Sequence, residues 1–187
     1  AEWKPAAKGS PRSPVALLQL AFRRSAWLLD VQSLGRDAAL RAAAAGLVRG
    51  LLEDVHVLKV GFGVKGDVAR LAETLPPVGA GGARGVLDLE ALAAAALPDL
   101  QLSGGLSGMC RAVLGRGLDK AQQTSDWSAR PLAPEQLSYA AQDAHVCVRL
   151  FDTLCYQHAT LSMRPLLPTL QDLSVELPPH VDEGLAS

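Results

Sequence analysis

Three acids and one phenol occupy positions from which side chains can meet in one cleft. Glu2 lies at the end of an expected strand, Asp67 follows the apolar run HVLKVGF, and Asp143 sits one turn after Tyr139 inside a long late helix. The i, i+4 spacing of Tyr139 and Asp143 puts the phenol and the carboxylate on one helix face. Hydrolysis of a phosphodiester by two metal ions needs several carboxylates around one cleft. Hard divalent cations take oxygen ligands and must clamp both the attacking and the leaving oxygen. Carboxylates about 5 Å apart repel by about 3 kcal/mol per pair at an effective dielectric of about 20, so such a cluster makes sense only with cations present. Taken singly, Tyr139 also fits a packed ring with a satisfied hydroxyl, and Asp143 a solvated helix acid.

The surrounding pattern supplies elements to carry these groups. VALLQLAF and, after Arg23 and Arg24, AWLLDV have strand length and turn-like flanks, and read as a hairpin. Asp37 opens an Ala/Leu/Arg-rich helix to about Leu52; VHVLKVGF is a buried strand, followed by a helix from about Asp67 to Leu75 that Pro76 and Pro77 end. A short strand GVLDL, an alanine-rich helix ending before Pro98, and a helix from Leu106 to Leu114 closed by Gly115 and Gly117 come next. The last helix runs from Pro134 to Leu154, with Leu137, Ala140, Ala144, Val148, Phe151 and Leu154 on its expected apolar face. Strands first, then alternation, then helices predict an α/β fold, a sheet of mixed direction with helices on both faces. Beyond Arg164 the chain is rich in proline and acids without periodicity, and a linker or loosely ordered tail is expected there.

Length and composition bound the class. At 187 residues, 49% of them hydrophobic, one domain with one real core is expected. The 18 Lys+Arg balance 19 Asp+Glu, so nucleic-acid binding would need a local basic rim rather than a whole-protein field. Cys110, Cys147 and Cys155 form no CxxC pair, which fits thiols in a reducing compartment. With neither a signal-like h-region nor a bilayer-length apolar run, an intracellular protein is expected and membrane insertion is not. The chain starts at Ala1 on what reads as the end of a strand, and we expect it to be a fragment of a longer polypeptide.

Gly61, Gly63 and Gly66 spell GxGxxG after a strand and before a helix, with Asp88 further on, which on paper is a dinucleotide fingerprint. Asp67 argues against it, since a carboxylate already stands at the helix end that a pyrophosphate would use. The same glycines also fit a plain tight turn, with Asp67 as an N-cap. Asp88 and Asp126 read as caps of helices or turns, and His56, His145, His158 and His180 lack ligand spacing.

Ordered blocks carry a family resemblance. AEWKP is similar to the continuation of an Asp-x-Glu block with Glu2 as the glutamate, KVGFGVKGD to a second block ending on Asp67, and YAAQD to a third holding Tyr139 and Asp143. Between them LDKAQQTSDWSARPLAPEQLSYAAQDA, with Lys120, Trp127, Arg130 and Pro131, resembles the approach to that third block. Together these resemble the DEDDy 3′→5′ exonucleases, the group of RNase D and the Werner exonuclease, and within it the animal mutator-type exonuclease homologues. The histidine-bearing sister branch would need histidine where Ser138 stands.

The resemblance implies an RNase H-like fold whose first strand is truncated, an exonuclease domain over 1–158 and a C-terminal extension or linker over 159–187. It implies that Glu2, Asp67 and Asp143 bind two Mg²⁺ or Mn²⁺ ions with a further aspartate, expected just before Ala1. Tyr139 would position the attacking water, and the substrate would be single-stranded RNA or DNA cut from its 3′ end to nucleoside 5′-monophosphates. Lys120 and Arg130 are candidates for phosphate contacts and Trp127 for base stacking; solvated surface and a core anchor are their alternatives. Without the further aspartate, this chain is expected to be inactive or nearly so. An inactive nucleic-acid-binding module is the second reading, and the dinucleotide-binding domain a third.

Overall fold

The structure, a computed structural model, describes residues 1–5, 11–99, 102–157 and 170–173. Strands β1 (Glu2–Trp3), β2 (Val15–Phe22) and β3 (Ser25–Asp30) form an antiparallel sheet in that order. The two-residue turn Arg23-Arg24 fixes the hairpin register from Leu17↔Asp30 to Phe22↔Ser25. After a 3-10 turn over Gln32–Arg36 comes α1 (Ala38–Glu53), capped by the Asp37 side chain accepting from Leu40 N–H at 3.0 Å. Next are β4 (Lys59–Gly61), α2 (Val64–Thr74), β5 (Ala83–Asp88), α3 (Leu89–Ala96), α4 (Gly105–Leu114) and α5 (Pro134–Gln157). The final strand β6 (Leu170–Leu173) completes a second sheet in which β4 and β5 run parallel and β5 and β6 antiparallel.

Strands of mixed direction and helices on two faces are therefore present, but among the described residues the ladders close as two three-stranded sheets rather than one. β5 shows how the layers form. Successive strand residues face opposite ways. Val86 packs into a core with Val48 and Leu52 of α1 and Leu71 of α2, while Leu87 packs into a second core with Leu92, Met109 and Leu150 of α3, α4 and α5.

Several expectations shift. α2 begins at Val64, three residues earlier than expected, behind Gly63 in the left-handed region at φ 67°. Asp67 thus lies within the helix's first turn, and its N-cap role is not observed. β4 covers only Lys59–Gly61 of the expected longer strand. The inward face of α5 is Ala140, Cys147, Leu150 and Leu154, whereas Leu137, expected inside, is 41% exposed. Part of the expected tail adds a strand, β6, to the free edge of β5; the remainder of 159–187, with His158 and His180, lies outside the described residues.

Candidate active site

The inward stripe of α5 places one carboxylate at the junction of the layers. Ala140, Cys147, Leu150 and Leu154 are buried, and Asp143 falls on the same stripe between Ala140 and Cys147. The helix start is fixed by Gln136, whose Oε1 accepts from Ala133 N–H at 3.0 Å, as in half of a capping box. Its Nε2 donates to Ser125 Oγ and the Asp126 carbonyl, which ties the preceding loop to the helix. One face over, Tyr139 lies with its ring 6.0 Å from that of buried Trp127.

Glu2 on β1 comes to the same place because β1 pairs with β2 at Glu2↔Leu17. Gln19, the one polar residue in VALLQLAF, donates from Nε2 to Glu2 Oε1 at 3.2 Å. Asp67 arrives from the first turn of α2 and accepts from the Ala1 ammonium at 2.9 Å. The three carboxylates feel one another electrostatically. Burial pushes the Glu2 carboxyl up to about 7, opposed by the Ala1 ammonium and reinforced by Asp143 and Asp67. Asp143 is raised by burial as well, with the ammonium opposing and Asp67 adding to it. The Tyr139 hydroxyl is pushed up to about 12 by burial and by the negative charges of Asp143, Glu2 and Asp119.

Glu2, Asp67, Tyr139 and Asp143 therefore share one electrostatic neighbourhood. The donor set is carboxylate oxygen throughout, which suits a hard divalent cation. As placed, no three such side chains among the described residues are gathered closely enough to enclose an ion.

The other candidates lie elsewhere. Trp127 is fully buried, so neither ring face is open to a base, and its indole N–H has no partner among the described residues. Arg130 is turned inward onto Asp30 and three backbone carbonyls. Lys120 is exposed and donates to the Gly104 carbonyl at 3.2 Å. None of the three lines the open cleft of about 500 Å³ beside Tyr139 and Asp143, which Asp119, Gln122, Glu135, Ser138 and Gln142 border. Gln19 was legible only as a lone polar residue in an apolar strand. The cleft-lining amides carry no sequence signal of their own.

Asp88 caps as expected, accepting from Glu90 N–H at 3.0 Å, and it also accepts from Val64 N–H at 3.2 Å. The start of α2 thus has one of its donors already used and an acid in its first turn, which leaves the glycine turn poorly suited to a pyrophosphate. Asp126 makes a local turn with Ser128 N–H at 2.9 Å. Among the described residues no helix is long and apolar enough to cross a membrane.

Comparison with known proteins follows the same lines. The model of a family described as 3′-5′ exonuclease matches residues 1–157. The chain is 34% identical over 171 residues to the human exonuclease mut-7 homolog, covering 84% of this chain and 20% of that protein. It is 36% identical over 149 residues to the Drosophila melanogaster exonuclease 3′-5′ domain-containing protein 2, covering 79% of this chain and 23% of that one. The chain thus spans about a fifth of the length of these curated relatives. Among solved structures, the Aedes aegypti Nibbler EXO domain matches with a TM-score of 0.72 at 27% identity, covering 90% of this chain and 81% of that chain.

Proposed function

The chain belongs to the 3′-5′ exonuclease family, and from that premise we propose that it hydrolyses phosphodiester bonds at the 3′ end of single-stranded RNA or DNA, releasing nucleoside 5′-monophosphates. The observation that supports this best is the convergence of Glu2 from β1, Asp67 from α2 and Asp143 from α5, whose charges act on one another, with Tyr139 beside them. In this reading Glu2, Asp67 and Asp143 hold two Mg²⁺ or Mn²⁺ ions. When bound, the ions supply charge that neutralises the phosphate oxygens and makes water acidic enough to attack near neutral pH.

The remaining roles fall to the chain's own groups. With its hydroxyl pushed up to about 12, Tyr139 keeps its proton at neutral pH. It therefore orients a water by hydrogen bonding and does not serve as the base. Gln19 holds the Glu2 carboxylate from the strand beside it. Asp143 is held from behind by the packed stripe of α5.

The resemblance puts the family's first aspartate ahead of Ala1, so the reading is tested on this chain and on a form with an aspartate added there. A strand labelled at its 5′ end, incubated with Mg²⁺ or Mn²⁺ and with EDTA, tests the reading on both forms beside Asp143→Ala. If shortening is metal-independent, or equal in the Asp143→Ala protein, the hydrolase proposal fails.

A second reading has one observation of its own: as placed, the acids do not gather tightly enough to enclose an ion. A nucleic-acid-binding module without cleavage would retain the labelled strand in a mobility-shift assay and never shorten it, even with the added aspartate.

A further inference from the structure

Lys120 and Arg130, the cations expected to meet phosphate, are turned to backbone carbonyls and to Asp30, and a nearly neutral chain has no general field to replace them. A different pair stands free. A cavity of about 110 Å³ opens between the end of α4 and α5, lined by Arg116, Arg149, His145 and Gln142 together with the buried Cys110 and Val146. No Asp or Glu is among the described residues that line it. Neither guanidinium has a hydrogen bond or an ion pair among the described residues.

The surroundings hold the pair in place. α4 ends at Gly115, in the left-handed region at φ 79°. The Ser107 hydroxyl accepts from Leu118 N–H at 2.9 Å and donates to the Leu118 carbonyl at 3.0 Å, which pins the short loop carrying Arg116 back onto α4. Gln142, His145 and Arg149 follow at i, i+3 and i+7 on α5 and share one face. Asp152, three positions beyond Arg149, is its nearest acid along the helix, but that carboxylate accepts from Arg23 Nη2 at 2.9 Å. The β2–β3 turn that carries Arg23 is fixed there by its backbone as well, since His145 Nε2 donates to the Arg23 carbonyl at 3.2 Å. Arg149 is thereby left to the cavity.

Two guanidiniums lining one small space repel each other until an anion stands between them. Phosphate answers that arrangement, because the planar fork of each arginine offers two parallel N–H donors to its oxygens and the Gln142 amide adds a neutral donor. The volume suits a phosphate group rather than a whole nucleotide. Gln142 and Leu118 also border the cleft beside Tyr139 and Asp143, so the two spaces adjoin. At about 1.5 Å of rise per residue, Arg149 lies about 9 Å along the helix from Asp143. We propose that this pocket seats a backbone phosphate of a single-stranded nucleic acid, held by Arg116 and Arg149, away from the phosphate that is cut. That occupant rests on the exonuclease reading, whereas the affinity of the pocket for phosphate does not.

Binding in EDTA separates the two, because it needs neither metal nor turnover. A labelled oligouridylate and a labelled oligothymidylate are titrated by fluorescence anisotropy over a series of salt concentrations. Arg116→Gln combined with Arg149→Gln, both exposed positions, weakens binding of both strands about tenfold and flattens the plot of log K against log salt by about 0.7, the share of one phosphate contact on a single strand. Arg116→Lys combined with Arg149→Lys keeps the charges and loses the forks, so it restores the slope but less than half of the lost binding free energy. Arg49→Gln combined with Arg84→Gln removes the same charge at exposed positions outside the pocket and leaves affinity within about twofold of the parent. Inorganic phosphate at matched ionic strength shifts the backbone amide resonances of Arg116 and Arg149 in the parent. The proposal is overturned if the glutamine pair matches the parent in affinity and slope, if the control pair loses as much, or if inorganic phosphate shifts those resonances and neither strand does. Cleavage that fails while this contact persists removes the exonuclease reading alone, and cleavage that persists with an unchanged slope in the glutamine pair removes this contact alone.

Discussion

Arg130 closes on Asp30 with two hydrogen bonds, Nε to Oδ2 at 2.7 Å and Nη2 to Oδ1 at 2.6 Å. The same guanidinium donates to the carbonyls of Ala16 on β2 at 3.2 Å and of Trp127 and Ala129 in the loop before α5. One side chain thereby ties β2, β3 and that loop together. Burial alone would raise the Asp30 carboxyl, but hydrogen bonds from Arg130 and Ser33 hold it at about 2.

Arg130→Ala should lower stability by about 2 kcal/mol, because the part-exposed ion pair contributes little beyond its hydrogen bonds while the carbonyls lose a donor. Arg130→Lys should recover less than half of that, since an ammonium cannot reproduce the fork. The Asp30 carboxyl is depressed in the folded chain, so its contribution is present above about pH 4 and is lost as pH falls toward 2. Urea unfolding of the three proteins checks this; an Arg130→Ala midpoint equal to that of the parent rejects the clamp.

Much of this arrangement could be read from local pattern, and its limits are specific. VALLQLAF, Arg23-Arg24 and AWLLDV gave the hairpin because one strand face is apolar and the turn is short. Asp37 gave the start of α1 because an N-cap is a local signal. Asp88 caps α2 across 24 positions through Val64 N–H, so the true helix start could not be seen locally. On α5 the inward stripe contains Gln136 and Asp143, two polar residues, and counting apolar residues therefore rotated the expected face toward Leu137. Arg130 looked like a phosphate ligand by type, but its partner Asp30 is 100 positions away. The acids Glu2, Asp67 and Asp143 were singled out by their places at strand ends and on a helix face, and the ordered blocks then joined them into one candidate set, since no spacing between distant residues specifies a pocket.

Glu2 makes metal-free stability depend on pH. Its folded value of about 7 stands above the unfolded 4.5, so the contribution is fully present below about pH 4.5 and is lost as pH rises through 7. The loss is at most about 3 kcal/mol, reduced by the solvent the site retains. In EDTA the melting temperature should fall between pH 5 and about pH 8, and Glu2→Gln should flatten the fall. A slope unchanged in the Glu2→Gln protein assigns the effect to another group.

Trp127→Ala should cost about 3–5 kcal/mol, since a fully buried indole is removed from the core it forms with Ala16, Leu17 and Ala140. Trp127→Phe keeps most of the packing and deletes an indole N–H without a partner among the described residues, so its cost should stay below about 1.5 kcal/mol. Strand binding by folded Trp127→Leu should match the parent within about twofold, whereas removing a stacking ring would cost about 1–3 kcal/mol per base. Mobility-shift titration decides between the two.

Divalent cation should reverse the effect of pH. At neutral pH part of the Glu2 population carries a proton that a bound cation must displace, so binding should release protons and raise the melting temperature. Calorimetry in two buffers of different ionisation enthalpy measures the release directly. The release should be larger near pH 6 than near pH 7, shrink toward about pH 9 as Glu2 loses its proton unaided, and drop in the Glu2→Gln protein. Tyr139→Phe should leave both the proton release and the melting shift intact, because its hydroxyl holds its proton throughout this range. On the chain bearing an added aspartate, the same substitution should lower kcat by about a hundredfold with KM little changed. If Tyr139→Phe instead abolished cation binding, the phenol would belong to the ion site, and its assignment as the group that orients water would fail.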